Sequence, residues 1–411
     1  MSSRLYSANV KVIFEVNSPD GAGDSSMKPK LWQFAYLIGF IIVGSILGLE
    51  NMGAHLPHNI VAWVELIGGV LLIGGACEAF VISVEGIAHN FKLTDYVSGI
   101  YASLASTIPE LSVIIFLLLG QQFEMAWVLA LATIFMNSLV FALYTLILPK
   151  DEQGNFRLPD AIMWVGSDLL TMGAVISLAV GLSMLLVGVF PVGEAGFSFT
   201  HLQAGELMVF GLCLLTVFIA YLFTITKYYG HTEEPIDHDG ANGGVTYPKL
   251  TKQVLAIYLV VAGFGALLGG EALSSFANFA SGSEGLNLSF IDTALLLVVF
   301  GGTPEYIIVA SSHRKEEIEV ALSNAFGGIV QVFFVIFGFT LLASGIIGFS
   351  LGIQDVIPID LFSVVLLFFA FPSMFVLRQM ITDDAKVNAL ESIAMIAVFV
   401  MMLYILLMYG A

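Results

Sequence analysis

Two short segments, each inside a long apolar stretch, repeat one pattern: Ser106-Thr107-Ile108-Pro109-Glu110 and Gly301-Gly302-Thr303-Pro304-Glu305. Each sets a carboxylate beside a helix-breaking proline. Proline within a helix removes a backbone hydrogen bond and clashes with the preceding turn, freeing carbonyl oxygens. In hydrocarbon those oxygens must find another partner. A charge at membrane depth costs at least roughly 2.5–3.5 kcal/mol on insertion scales, so it is tolerated facing a cavity, a partner or an ion. Glu110 and Glu305, the freed carbonyls and the hydroxyls of Ser106, Thr107 and Thr303 form a hard oxygen set. Such a set suits calcium, which takes about six to eight oxygens, better than a soft transition metal. Asn137 and Gln331 lie roughly 26 residues beyond their acids, on the next helix of each half, where they could reach the same centre. Interhelical amide packing is the competing account for both.

Two carboxylates that accept either one divalent ion or replacement monovalent cations or protons make binding mutually exclusive. Transport at such a site becomes exchange, because two unpaired carboxylates in low dielectric resist a conformational change. Other acids carry less. Glu78, Glu85 and Glu271 divide evenly between lining an ion path and structural pairing, while Glu65, Asp168 and Asp292 read as interfacial. His89, His201 and His313 have no metal-ligand spacing, and Cys77 and Cys213 lack a C-x-x-C arrangement and read as packing residues.

The elements that must hold these residues are transmembrane helices. With 58% hydrophobic and 11% charged residues in 411, the chain lies far outside the soluble globular range. Apolar runs of about 18–25 residues suffice to span a bilayer. About eleven are expected, near 32–50, 61–88, 96–119, 125–148, 161–190, 204–226, 252–280, 290–312, 318–346, 359–378 and 388–409. Alternating ten-residue strands, the mark of a barrel, are absent from the pattern. With eleven spans all 14 Lys and Arg fall on one side, from Arg4, Lys92, Lys150 and Arg157 to Arg314, Arg378 and Lys386. That predicts a cytoplasmic amino terminus and an outer carboxyl terminus, in a multi-pass protein of the plasma membrane. The net charge of −18 reads as solubilised loops, no basic block suggests nucleic acid, and the polar first thirty residues do not resemble a cleaved signal.

The polar interruption at 227–252 separates two similar halves. The expected organisation is a cytoplasmic arm over 1–31, an extra transmembrane helix and loop over 32–60, a first repeat over 61–226, a cytoplasmic linker over 227–252 and a second repeat over 253–411. By the charge-based topology the helix with Glu110 runs outward and that with Glu305 inward, so the repeats are inverted, an architecture of secondary transporters. The expected fold class is an all-α polytopic membrane protein of two inverted five-helix repeats plus one extra amino-terminal transmembrane helix.

These residues resemble the calcium:cation antiporter superfamily, whose inverted repeats each carry a Pro-Glu motif in one helix and an amide or acid in the next. The resemblance covers roughly residues 65–410. It implies a ten-helix core in which 61–88 and 252–280 are long, tilted, mobile helices, and an extra amino-terminal helix such as calcium/proton exchangers have. It also implies that Glu110 and Glu305 match the central carboxylates, Ser106 and Thr107 the first-repeat hydroxyl pair, and Thr133 and Asn137 the hydroxyl and amide of the following helix. Gln331 resembles the second-repeat glutamine of calcium/proton exchangers. Sodium/calcium exchangers place hydroxyls where Gly301 and Gly302 stand, and calcium/proton exchangers an asparagine and a histidine where Gly302 and Tyr306 stand.

The resulting expectation is a secondary antiporter moving Ca2+ by alternating access, with Na+ or H+ as counter-ion and inorganic cations and the lipid bilayer as partners. Another divalent ion such as Mg2+ or Mn2+ is the alternative, and a cation channel a more distant one. An enzyme is not expected, since neither H-E-x-x-H nor G-x-S-x-G occurs, and neither a cofactor nor a catalytic residue is assigned.

Overall fold

The computed structural model describes residues 31–53, 56–159, 162–189, 200–230, 251–314, 318–359, 361–383 and 385–409. All but the last residue of the expected arm over 1–31, and residues 231–250 of the expected linker over 227–252, lie outside them. The first half comprises α1 (Leu31–Asn51), α2 (His58–Asn90), α3 (Asp95–Ser106), α4 (Ile108–Leu119), α5 (Phe123–Ile147), β1 (Asn155–Arg157), α6 (Ser167–Val189), β2 (His201–Gln203) and α7 (Ala204–Tyr229). The second comprises α8 (Lys252–Ser281), α9 (Phe290–Gly301), α10 (Thr303–Arg314), α11 (Ile318–Gln331), α12 (Gly338–Leu351), β3 (Asp355–Pro358), α13 (Leu361–Asp383), β4 (Lys386–Asn388) and α14 (Ala389–Tyr409). A π-helical turn at Ile162–Gly166 opens α6, and another at Val332–Phe337 joins α11 to α12.

Among the described residues ten helical stretches are long and apolar enough to cross a membrane, and α14 adds a shorter apolar stretch, Ala389–Ile405. The expected spans 96–119 and 290–312 are each two helices end to end. Local chemistry sets both pairs. Thr94 caps α3 by accepting the Val97 N–H at 3.4 Å, and Ser289 caps α9 by accepting that of Asp292 at 3.1 Å. The two caps stand 195 positions apart, as do Pro109 and Pro304, and Glu110 and Glu305.

Inversion appears in the pairing of elements. α2 packs on α8 and α6 on α13; α3 meets α11 as α5 meets α9, and α7 meets α12 as α5 meets α14. The short strands obey the same exchange: β1 pairs antiparallel with β4, and β2 with β3. The small strands were not foreseen, because three or four residues at a loop leave no alternating pattern to read.

Helices α2 and α8 cross where glycine is required. A Cβ on Gly69 or on Gly269 would lie 3.1 Å from the other's carbonyl oxygen. Small residues permit such close backbone approach between membrane helices, where dispersion rather than hydrophobicity drives association. The extra helix α1 lies against both: Tyr36 donates its hydroxyl to the Val261 carbonyl at 2.7 Å, and a Cβ on Gly75 would meet Tyr36 Cβ at 2.5 Å.

Candidate cation site between the repeats

The helix break makes the site. Pro109 falls in the first turn of α4, where its missing N–H costs no intrahelical bond, and Glu110 follows in the same turn. Glu305 holds the equivalent place in α10. Amino-terminal turns favour negative charge, so each carboxylate sits where its own helix helps to offset burial. On the other side of the first break the carbonyls of α3 are taken up locally: Ser106 donates to the Ser103 carbonyl at 2.6 Å and Thr107 to that of Leu104 at 2.8 Å. The second break has no such hydroxyl pair; Thr303 donates back to Val299 at 2.9 Å.

Glu110 is 8% and Glu305 6% exposed, and the two lie close enough to repel one another. The donors around Glu305 come from the opposite repeat. Asn137 on α5 donates its Nδ2 to Glu305 Oε2 at 2.9 Å, and Ser106 its hydroxyl to Oε1 at 3.4 Å. Glu110 Oε2 and Asn137 Oδ1 are buried without a hydrogen-bond partner. A buried unpaired polar oxygen costs about 1–3 kcal/mol, more when charged.

Gly328 on α11 closes the site. A Cβ there would lie 3.0 Å from Asn137 Nδ2 and 3.4 Å from Glu305 Oε2.

The structure thus brings together Glu110, Glu305, Ser106 and Asn137. Gln331 goes elsewhere: its Nε2 donates to the Ile100 carbonyl at 3.1 Å and its Oε1 accepts the Ser103 hydroxyl at 3.0 Å, tying α11 to α3. Asn137 stands 27 residues past Glu110 and Gln331 only 26 past Glu305. One residue turns a helical position by about 100°, and the two amides face different partners. Thr133 is buried on α5, with its hydroxyl donated to the Leu129 carbonyl at 2.8 Å. Thr107 and Thr303 likewise spend their protons on their own helices, leaving oxygen lone pairs as their contribution.

Three nearby polar residues were not assigned a place from sequence. Ser103 precedes Ser106 by one turn. Asn324 precedes Gln331 by two turns and so shares its face of α11, a spacing that a search for polar positions at helical period could have found. Tyr306, adjacent to Glu305, turns its hydroxyl inward, buried and without a hydrogen-bond partner. Among the weaker acids, Glu65 is buried on α2 and accepts a 2.7 Å hydrogen bond from Ser275 on α8. Cys77 is buried and Cys213 exposed.

Residues 254–408 match the profile of the sodium/calcium exchanger protein family. No curated protein matches the chain in sequence. Among solved structures, that of the H+/Ca2+ exchanger CAX is similar at 15% identity and a TM-score of 0.65, covering 91% of this chain and 88% of that one. A structure of the sodium-calcium exchanger NCX_Mj, soaked with Na+ and Sr2+, is similar at 15% identity and a TM-score of 0.53, covering 84% and 98%. At these identities the likeness is one of fold. Residues 254–408 thus carry the sequence pattern of the sodium/calcium exchanger protein family, and the chain has the fold of these solved exchangers.

Proposed function

We propose that the protein exchanges Ca2+ for Na+ or H+ across a membrane, with Glu110 and Glu305 holding the transported ion and Ser106 and Asn137 completing the site. One observation carries this reading: two buried carboxylates, one from each inverted repeat, meet at helix breaks, and the second receives its hydrogen bonds from the first repeat. A site built across two halves changes when the halves shift, which alternating access requires. Two charges match one divalent cation. Removing it without a replacement leaves like charges facing each other in low dielectric, so the empty carrier does not readily reorient. Thr107, Thr133 and Thr303 line the approach as oxygen donors, and Gln331 sets the position of α11 against α3.

The packing around the site is unequal. On the side where α4 and α8 end, a Cβ on Gly270 would come within 2.7 Å of Ser112 Cβ and 2.9 Å of the Val113 nitrogen. At the equivalent place in the other repeat Gly75 faces Tyr36 of α1, and Ile307, the counterpart of Ser112, is 50% exposed. This supports a carrier closed toward the side of Leu119 and Ser281, which the basic residues assign to the outside.

Proteoliposomes test the reading. Ca2+ uptake is expected to require an opposing gradient, and to be driven by either an imposed Na+ gradient or an imposed pH gradient. The gradient that drives it identifies the counter-ion. Ca2+ flux that runs equally well without any counter-cation would instead describe a channel.

A further inference from the structure

We infer that an acyl chain of a bilayer phospholipid inserts its end between α6 and α7, into an apolar cavity that reaches the π-helical turn at Val332–Phe337. The inference rests on the membrane position of these helices and is independent of calcium exchange. The cavity measures about 120 Å³. Ile176 and Val180 of α6 form one wall and Cys213 and Val217 of α7 the other. Trp127 of α5 lies at the floor with Phe333 and Phe337 of the π-helical turn, all three buried.

Glycine contacts explain the gap. A Cβ on Gly173 would lie 2.5 Å from Met374 Sδ, and one on Gly211 would lie 2.5 Å from the Gly338 carbonyl oxygen. Such close approaches draw α6 onto α13 and α7 onto α12, and the space between α6 and α7 is left unfilled.

The mouth meets lipid. Cys213 is exposed, and Val175 of α6 with Val209 and Leu212 of α7 continue the apolar surface on either side of it. Cys213 stands nine residues past Ala204, the start of α7, or about 14 Å along the axis. That depth lies within a hydrocarbon core roughly 30 Å thick.

Chemistry chooses the occupant. Ser177, which also lines the cavity, donates its hydroxyl to the Ala174 carbonyl at 3.0 Å, and Trp127 Nε1 is buried without a hydrogen-bond partner. One free donor does not hold a water, which needs about two to four polar partners; an apolar cavity of about 150 Å³ stays dry and takes benzene. The volume here therefore suits roughly the last six carbons of one chain and excludes a headgroup. An empty cavity forfeits dispersion contacts along its lining, and the chains that restore them already surround the mouth. The inserted end braces the joint between α12 and α11, whose Gly328 closes on Asn137 and Glu305.

Fluorescence of the full chain in phosphatidylcholine vesicles, with and without bromine at mid-chain, tests this. Trp32→Phe, Trp63→Phe and Trp164→Phe together leave Trp127 as the sole emitter. A second chain keeps only Trp63, which is 45% exposed, and sets the full quenching signal. Cys213→Phe and Val180→Phe fill the cavity from opposite walls. The expected result is that bromine quenches Trp127 at least half as strongly as Trp63, and that one or both filling changes cut this quenching at least threefold while Trp63 is unaffected. Weaker quenching of Trp127, as a cavity closed to lipid would give, overturns the site. Quenching that neither filling change cuts threefold overturns it as well, since the bromines would then act from the bilayer outside.

Discussion

Glu305 is the residue on which both repeats converge, since it belongs to the second and takes its hydrogen bonds from Ser106 and Asn137 of the first. Glu305→Gln keeps the shape and removes the charge, so Ca2+ transport is expected to fall more than about tenfold, or at least about 1.4 kcal/mol in the rate-limiting step. Gln331 has the opposite profile. Its amide links α11 to Ser103 and the Ile100 carbonyl, and Gln331→Leu would strand both, costing about 1–3 kcal/mol. A lower melting temperature with Ca2+ affinity changed less than threefold is the expected outcome, measured by thermal unfolding and calcium titration. The burial of the carboxylates and the pairing of Asn137 with Glu305 follow the sequence expectation, because charge and proline inside apolar stretches admit few arrangements. The placing of Gln331 does not, because a one-residue difference in spacing decides which neighbour a helical side chain meets.

At the scale of elements, the proposed exchange would require the tight contact between α4 and α8 to open. Cysteines replacing Ser112 and Gly270 would start with Cβ atoms about 2.7 Å apart, and need separate by only about 1 Å to reach the usual disulfide spacing. Oxidation of that pair is expected to stop Ca2+ uptake, with reduction restoring it. The extra helix α1 supplies the contrast. Its Trp32 and Tyr258 on α8 have ring centroids 5.9 Å apart, and Tyr36 reaches α8 by its hydroxyl and α2 by its stem. If α1 travels with α2 and α8, a cross-link from position 32 to 258 leaves at least half of the transport, measured in the same vesicles. The helices themselves followed from hydropathy. Their breaks followed from proline, but the π-helical turns at Ile162–Gly166 and Val332–Phe337 arise from packing between segments and leave no local signature.

The whole molecule has its two ladders as markers of sidedness. β1 pairs with β4, with Arg157 opposite Lys386, and β2 pairs with β3, whose residues 201–203 and 355–358 contain neither Lys nor Arg. The pairing therefore sets Arg157 and Lys386 on one side, as the count of eleven spans requires. By the positive-inside rule that side is expected to be the cytoplasm. A cysteine at Gln153, beside β1, is expected to react with an impermeant maleimide only from inside the cell, and one at Gln203 only from outside. Equal labelling of both from one side would overturn the inverted topology. Inversion was readable because charge, motif order and spacing agreed, whereas the unequal closing of the two sides depends on contacts between distant helices.

The most direct test of the central claim is 45Ca2+ counterflow in sealed proteoliposomes, comparing the unaltered chain with Glu110→Gln and Glu305→Gln. Counterflow needs the loaded site to face each side in turn, so it isolates ion binding and reorientation from the choice of counter-ion. The account predicts strong counterflow in the unaltered protein and near-background signal in both variants. Counterflow undiminished in either variant would contradict it.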